Sequence, residues 1–268
     1  MEVGISTASF FIKEMNEDAV LDLGKHGVSL CELFLNSFCE YENSFIDLME
    51  ERIKQSGIKV YSVHPMGLQF EPQLFSTHPR QISDALKMYE KVLAICNRLG
   101  ADHYVMHATL SLNGVNRFYE IDRLIPIFRD LNELAASYHV QLMLENVSWC
   151  VCSTPEAARV INEKMHGELH FNLDIKQAVR MGYNPVEFIY AFDKQISNVH
   201  LCDAMIQSDG SYELRMPGKG NVDFPAIHDA LNQVGYSGPA FIEVYSQMFS
   251  ELDELYESWH SMKRIFSS

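Results

Sequence analysis

Four apolar runs in this chain each end on a side chain able to bind a cation or move a proton. Val140-Gln141-Leu142-Met143-Leu144 leads into Glu145, and Leu169-His170-Phe171-Asn172-Leu173 into Asp174. Ile196-Ser197-Asn198-Val199 leads into His200, and Ala240-Phe241-Ile242 into Glu243. A near-continuous apolar run of this length reads as a strand buried on both faces. A charge inside such a strand needs a partner. Each polar side chain is therefore expected at a strand end, facing something that wants its oxygen or nitrogen. Three carboxylates and one imidazole delivered in this way read as one metal site. His64 and His107 close two further apolar runs, and Glu32 lies just inside the end of another.

Strand ends that share one chemistry must lie on one edge of one sheet. Strand patterns are expected at residues 2–6, 28–34, 58–63, 102–106, 140–145, 169–173, 197–202 and 239–244. Helical patterns fall between and after them, at 16–26, 44–56, 79–99, 116–138, 155–166, 185–194, 224–234 and 251–266. Asn16, Thr154, Asn184 and Asp223 read as N-caps, the middle two followed by proline at the first helical position. Gly27, Gly57 and Gly100 read as stops, Pro126 as a kink or interruption, and 203–222 as a long loop. Eight strand–helix pairs imply a parallel sheet. Their length is that of an α/β (β/α)8 TIM barrel forming a single domain over residues 1–268. An open doubly wound sheet is the alternative. It would want a glycine-rich phosphate turn after the first strand, and Thr7-Ala8-Ser9-Phe10-Phe11 has no glycine. Barrels carry their chemistry on the C-terminal strand ends, the edge expected to gather Glu32, His64, His107, Glu145, Asp174, His200 and Glu243.

The composition fits a soluble enzyme-sized chain: 268 residues, 47% hydrophobic and 21% charged. Met1-Glu2-Val3-Gly4-Ile5 lacks the basic and apolar regions of a signal peptide, and no apolar run approaches the ~20 residues of a membrane span. Six scattered cysteines suggest reduced, buried thiols and a cytoplasmic location. Cys150-Val151-Cys152 has no second pair with which to form a metal site. The formal net charge of −15 argues against nucleic acid as a partner, because phosphate backbones want a basic footprint.

Taken in order, Ser62-Val63-His64-Pro65, Val105-Met106-His107, Leu144-Glu145-Asn146, Leu173-Asp174, Val199-His200-Leu201-Cys202-Asp203, Pro217-Gly218-Lys219-Gly220 with Val222-Asp223-Phe224, and Phe241-Ile242-Glu243 resemble the xylose-isomerase-like barrels. That superfamily includes sugar and sugar-phosphate isomerases and epimerases, inosose isomerases, and trinuclear-zinc abasic-site endonucleases. The resemblance covers essentially the whole chain. It implies one divalent metal held by Glu145, Asp174, His200 and Glu243. Three carboxylates and an imidazole suit Mn, Mg, Co or Zn alike. Departures are specific. Gln177 stands where much of the family has a histidine three positions after the aspartate. Tyr212-Glu213-Leu214-Arg215-Met216 lacks the aspartate and histidine that the endonucleases carry before the glycine pair. Val151 stands where some epimerases have a second glutamate.

The expected activity is isomerisation or epimerisation of a sugar, sugar phosphate or inosose. The metal acts as a Lewis acid on an enediolate, and Glu145 and Glu243 form the acid/base pair. The expected substrate contacts are His64, His107, Lys176, Gln177, Asp203 and Arg215. His64 and His107 read equally as hydrogen-bonded core histidines, Lys176 as a partner of nearby carboxylates, and Asp203 as a partner of the second nitrogen of His200. Glu32 reads as paired with a lysine or bound to a substrate hydroxyl. Gly218-Lys219-Gly220, with Arg215 nearby, reads either as a positive-φ turn or as a phosphate loop. Phe10, Phe11, Trp149 and Tyr245 read as an apolar wall or as ordinary packing. The expected partner is a small sugar or polyol, with no nucleic acid and no membrane; a homo-oligomer is left open. The alternatives are an endonuclease-type phosphodiesterase, with two or three metals, and a non-catalytic ligand-binding barrel.

Overall fold

The computed structural model describes residues 1–109 and 117–266. Its strands are β1 (Val3–Ser6), β2 (Leu30–Leu35), β3 (Lys59–Pro65), β4 (His103–Met106), β5 (Gln141–Glu145), β6 (His170–Asp174), β7 (Ile196–Leu201), β8 (Asp203–Ile206), β9 (Tyr212–Arg215) and β10 (Ala240–Ile242). Its helices are α1 (Asn16–Lys25), α2 (Asn43–Ser56), α3 (Glu71–Leu74), α4 (Pro79–Leu99), α5 (Arg117–Ser137), α6 (Pro155–Lys164), α7 (Ile175–Arg180), α8 (Pro185–Phe192), α9 (Phe224–Gln233) and α10 (Leu252–Phe266). Eight strands close a barrel in the order β1-β10-β7-β6-β5-β4-β3-β2, every pair parallel. The expected (β/α)8 architecture is the one observed.

The helices lie outside because their apolar residues recur at helical spacing. On α4, Ala85, Tyr89, Val92, Leu93, Cys96 and Leu99 are buried, spaced three or four apart so that one stripe faces the sheet. Burying one such leucine- or valine-sized side chain contributes about 1.5–3 kcal/mol, more than any surface pair on the same helix. Gly100, at φ 72°, ends that helix. Thr154, Asn184 and Asp223 each accept a backbone N–H in the following turn, as cap chemistry requires.

Strand register decides which side chains share the barrel mouth. Asp174 pairs with His200, and His200 with Phe241; one layer below, Glu145 pairs with Asn172 and Asn172 with Asn198. Side chains two apart on a strand point the same way. Asn172 and Asp174, Asn198 and His200, and Phe241 and Glu243 are therefore stacked couples facing the barrel axis. A register shift between Phe171 and Asn172 brings the β6 couple level with the β7 couple, a placement typical of bulges beside functional sites.

Four expectations need correction. Asn16 is not an N-cap: Met15 takes that position without a side-chain bond, while the buried Asn16 amide donates to Phe34 O at 2.8 Å and to Glu40 Oε1 at 3.3 Å. The 203–222 segment contains the antiparallel pair β8–β9, whose exposed arm hides the alternation that sequence patterning relies on. Helix α7, too short to show a period, follows Asp174 directly. Pro126 does not interrupt α5, which runs through it, and the predicted start of that helix at Asn116 lies outside the described residues. Among the described residues, no helix is long and apolar enough to cross a membrane.

Candidate metal centre

Glu145, Asp174, His200 and Glu243 each offer one ligand atom, and these atoms all lie within 4.8 Å of one another. All four residues are buried. Their atoms divide between support and centre. Asp174 Oδ1 accepts the N–H of Gln177 at 3.0 Å as the N-cap of α7, so the cap fixes the carboxyl and leaves Oδ2 for the centre. Asn146 clamps the same residue, donating to the Asp174 carbonyl at 3.0 Å and accepting its N–H at 2.6 Å. His200 turns Nδ1 to the carboxylates, 3.4 Å from Glu145 Oε1, 3.4 Å from Glu243 Oε2 and 4.0 Å from Asp174 Oδ2. Its Nε2 faces Glu32 Oε1 at 3.0 Å.

Glu32 is thus the outer partner of His200, and Asp203 is not. The Glu32 carboxylate also accepts from Ser6 at 3.1 Å, Ser62 at 2.8 Å and Asn198 at 3.0 Å. It meets neither a lysine nor open cavity. Orientation of a ligating imidazole by a carboxylate on its far nitrogen is the common arrangement at metal sites. Burial pushes Glu32 up, but the His200 ring outweighs burial and the carboxyl lies below its ordinary range.

His64 and His107 converge on Glu145 from the other side. Glu145 Oε2 lies 2.8 Å from His107 Nε2 and 3.4 Å from His64 Nε2, and these three residues form a second possible donor cluster. Burial pushes Glu145 up, yet His107, His200 and His64 together hold it well below the usual carboxylate range. His64, depressed by burial, is raised on balance to about 9 by its hydrogen bond to Glu145 and the surrounding carboxylates. Behind His107 stands Glu71, which the sequence did not single out. Its buried carboxylate accepts the N–H of His107 at 2.9 Å, that of Ala108 at 3.2 Å and the Tyr104 hydroxyl at 2.9 Å. Ala108 has φ 67°, a conformation that costs of order 1–3 kcal/mol for a residue with a side chain. Both features are invisible to spacing, because neither residue ends a strand.

Lys176 is buried, with Nζ 2.8 Å from Asp174 Oδ2 and 2.5 Å from Glu243 Oε2. Burial pushes Glu243 up, but Lys176 and His200 hold it well below the ordinary range. Burial raises Asp174 to about 6, with Glu145 and Glu243 pushing the same way against Lys176. Glu145 Oε2 and Asp174 Oδ2 are buried without an aligned hydrogen bond, although His107 and Lys176 lie within ion-pair distance. A buried carboxylate left uncompensated costs several kcal/mol. Asp174 Oδ2, left over at the centre of a three-carboxylate, one-imidazole set, is an oxygen a divalent cation would use, at a ligand distance of about 2.0–2.2 Å. The residues present fit such an ion.

The centre forms the floor of a cavity of about 300 Å³. Its walls include Phe11, Phe34, Met66, Trp149 and Tyr245, with Lys176, Gln177, His64 and His107 as polar groups beside the centre. Phe10 is instead in the core. Phe34 and Met66, which the sequence did not suggest, complete the apolar side.

Two expected substrate contacts lie outside this cavity. Asp203 Oδ2 accepts the N–H groups of Gly218 at 3.0 Å and Gly220 at 2.8 Å, and its Oδ1 accepts those of Ala204 at 2.8 Å and Val222 at 3.1 Å. The glycine loop is an anion nest, and the protein's own carboxylate fills it. Gly218 has φ 86°, and a side chain at Gly220 would collide with the Ala204 carbonyl and Asp203 carboxylate. The glycines serve that wrap, not phosphate. Arg215 sits on exposed β9, 2.5 Å from Glu213. Cys150 and Cys152 are buried and are not joined by a disulfide.

Residues 18–264 match the family described as xylose isomerase-like TIM barrel. An uncharacterized protein of Methanocaldococcus jannaschii, MJ1614, is 23% identical over 255 residues, covering 94% of this chain and 96% of that protein. Among solved structures, a D-tagatose 3-epimerase-like protein superposes with a TM-score of 0.81 at 19% identity, covering 100% of this chain and 97% of the other. The IOLI protein with a bound zinc atom gives 0.82 at 19% identity, with 100% and 98% covered. D-psicose 3-epimerase in the presence of D-fructose gives 0.80 at 14% identity, with 100% of each chain covered.

Proposed function

The chain belongs to the xylose isomerase-like TIM barrel family, and we propose that it is a divalent-metal-dependent isomerase or epimerase of a small, unphosphorylated polyol ketone. The observation that carries this reading is the convergence of Glu145, Asp174, His200 and Glu243 on one centre at the floor of a cavity. Those four residues would hold the ion, which supplies Lewis acidity toward the charge that builds on a carbonyl oxygen when the neighbouring carbon loses its proton.

The proton itself is the work of the protein. Glu145 and Glu243 each bring a carboxylate to the centre, so either can accept it. They approach the centre from β5 and from just beyond β10, on different arcs of the barrel. One removes the proton, and the other returns it to the opposite face or to the adjacent carbon. His64 and His107 brace Glu145, and Gln177, which lines the cavity, would donate to a substrate hydroxyl. Phe11, Trp149 and Tyr245 cover the apolar side and keep water from the reacting carbon. Among the described residues lining the cavity there is no arginine. With the glycine nest filled by Asp203, a phosphate has no receptor there. The structural neighbours, a D-tagatose 3-epimerase-like protein and a D-psicose 3-epimerase solved in the presence of D-fructose, support the same substrate class.

The test is proton exchange. Chelator-stripped protein reloaded with Mn(II) is incubated with unphosphorylated ketoses in deuterated water. Deuterium should enter at the carbon beside the carbonyl of at least one of them. A fully loaded enzyme that exchanges no ketose proton rejects the proposal. A second reading, a two-metal phosphodiesterase, draws on the His64, His107 and Glu145 cluster; the formal charge of −15 disfavours a polyanionic substrate.

A further inference from the structure

Lys176 occupies a position that a metal centre of this kind has to give up. Its ammonium lies against Asp174 Oδ2 and Glu243 Oε2. Glu243 Oε2 is the oxygen that faces His200 Nδ1 at 3.4 Å, and Asp174 Oδ2 is the buried oxygen without an aligned hydrogen bond. The ammonium is therefore ion-paired with the two oxygens a divalent ion would take. An ion about 2.1 Å from both would stand close to Nζ at a largely buried centre, where like charges repel more strongly than in water. The side chain has somewhere to go. Four methylenes separate its charge from the backbone, and the exposed ring of Tyr245, on the cavity wall, is 5.5 Å from Nζ, a ring that the Arg180 guanidinium also approaches at 5.4 Å.

We propose that Lys176 is an exchangeable counter-ion: it neutralises the Asp174–Glu243 pair before metal binds, and yields those oxygens to the ion by swinging toward Tyr245. It thereby sets the metal affinity of the site below what the four ligands alone would give. Its vacated ammonium then remains at the cavity wall, where a substrate oxygen can meet it. This inference rests on the metal-dependent reading above and is tested without any substrate.

Chelator-stripped wild type, Lys176→Gln and Lys176→Arg are titrated with Mn(II) by calorimetry. Lys176→Gln should bind about tenfold tighter or more, as removal of a close like charge permits, and Lys176→Arg should stay near the wild type. In the wild type, amine acylation of Lys176, read by mass spectrometry, should be slow without metal and faster with saturating Mn(II). The labelling needs no variant to fold. A damaged fold would weaken binding, so tighter binding is not a structural side effect. Equal or weaker affinity in Lys176→Gln, or labelling that saturating Mn(II) does not change, overturns the counter-ion role alone. Failure of every form to bind Mn(II), Zn(II), Co(II) or Mg(II) overturns the metal centre as well.

Discussion

Glu32 Oε1 lies 3.0 Å from Nε2 of His200, and both side chains are completely buried. The pair fixes the ring so that Nδ1 is the nitrogen left for the carboxylate centre. Glu32 itself is held by serines from β1 and β3 and by Asn198 from β7, so three strands aim one imidazole. Replacing Glu32 by Gln keeps the size and removes the charge. Outer partners of ligating histidines typically contribute about 10–100-fold to metal affinity. Mn(II) titration of Glu32→Gln should show a loss in that range, with the ligands unchanged. An unaltered dissociation constant would mean that the pair only packs.

The two proposed proton carriers should be separable from general damage. Glu145→Gln and Glu243→Gln keep the side-chain shape while removing the base. Each should slow ketose proton exchange by about 100- to 10,000-fold, the contribution usual for a positioned carboxylate. Circular dichroism should show an intact barrel in both. Exchange at the wild-type rate in either variant would remove that residue from the mechanism.

Metal stoichiometry divides the two functional readings. Elemental analysis of protein dialysed against Mn(II) or Zn(II) should give one ion per chain, held by the Glu145, Asp174, His200 and Glu243 set. Two ions per chain, falling to one in His64→Ala, would place the second at the His64, His107 and Glu145 cluster and favour phosphodiester chemistry.

Far from the mouth, His170 makes stability depend on pH. Burial, with His103 adding to it, lowers its pKa from 6.5 to about 4, and Nδ1 lies 2.7 Å from the Ser197 hydroxyl. The folded protein therefore prefers neutral His170, whereas the unfolded chain takes up the proton near 6.5. Its contribution is fully present above that pH and is lost as pH falls toward about 4. His170→Asn should accordingly lose less melting temperature than the wild type between pH 7 and pH 5. Parallel losses in the two proteins would show that other groups set the acid limb.

Much of this was legible in the chain because two periodicities are local. Apolar runs ending on Glu145, Asp174, His200 and Glu243 marked strands and their polar ends, and strand–helix alternation implied a parallel sheet, with eight pairs favouring a closed barrel over an open one. The capping chemistry at Thr154, Asn184 and Asp223 marked helix starts, because a cap is a contact between residues two or three positions apart. Asn16 carries the same cap residue type, yet its amide is taken by Phe34 and Glu40, a long-range competition that no local pattern shows.

Tertiary structure decided the rest, where the partner lies far along the chain. Glu32 pairs with His200 across 168 positions, and Lys176 with Glu243 across 67; only barrel closure and strand register bring them together. Asp203 and Gly218-Lys219-Gly220 displayed the composition of a ligand loop. Folding turns that carboxylate onto those amides, because buried N–H groups must find an acceptor and Asp203 is the acceptor at hand. Residue type announced which groups could do chemistry, whereas three-dimensional proximity assigned each oxygen and nitrogen to the centre, to its support or to the frame.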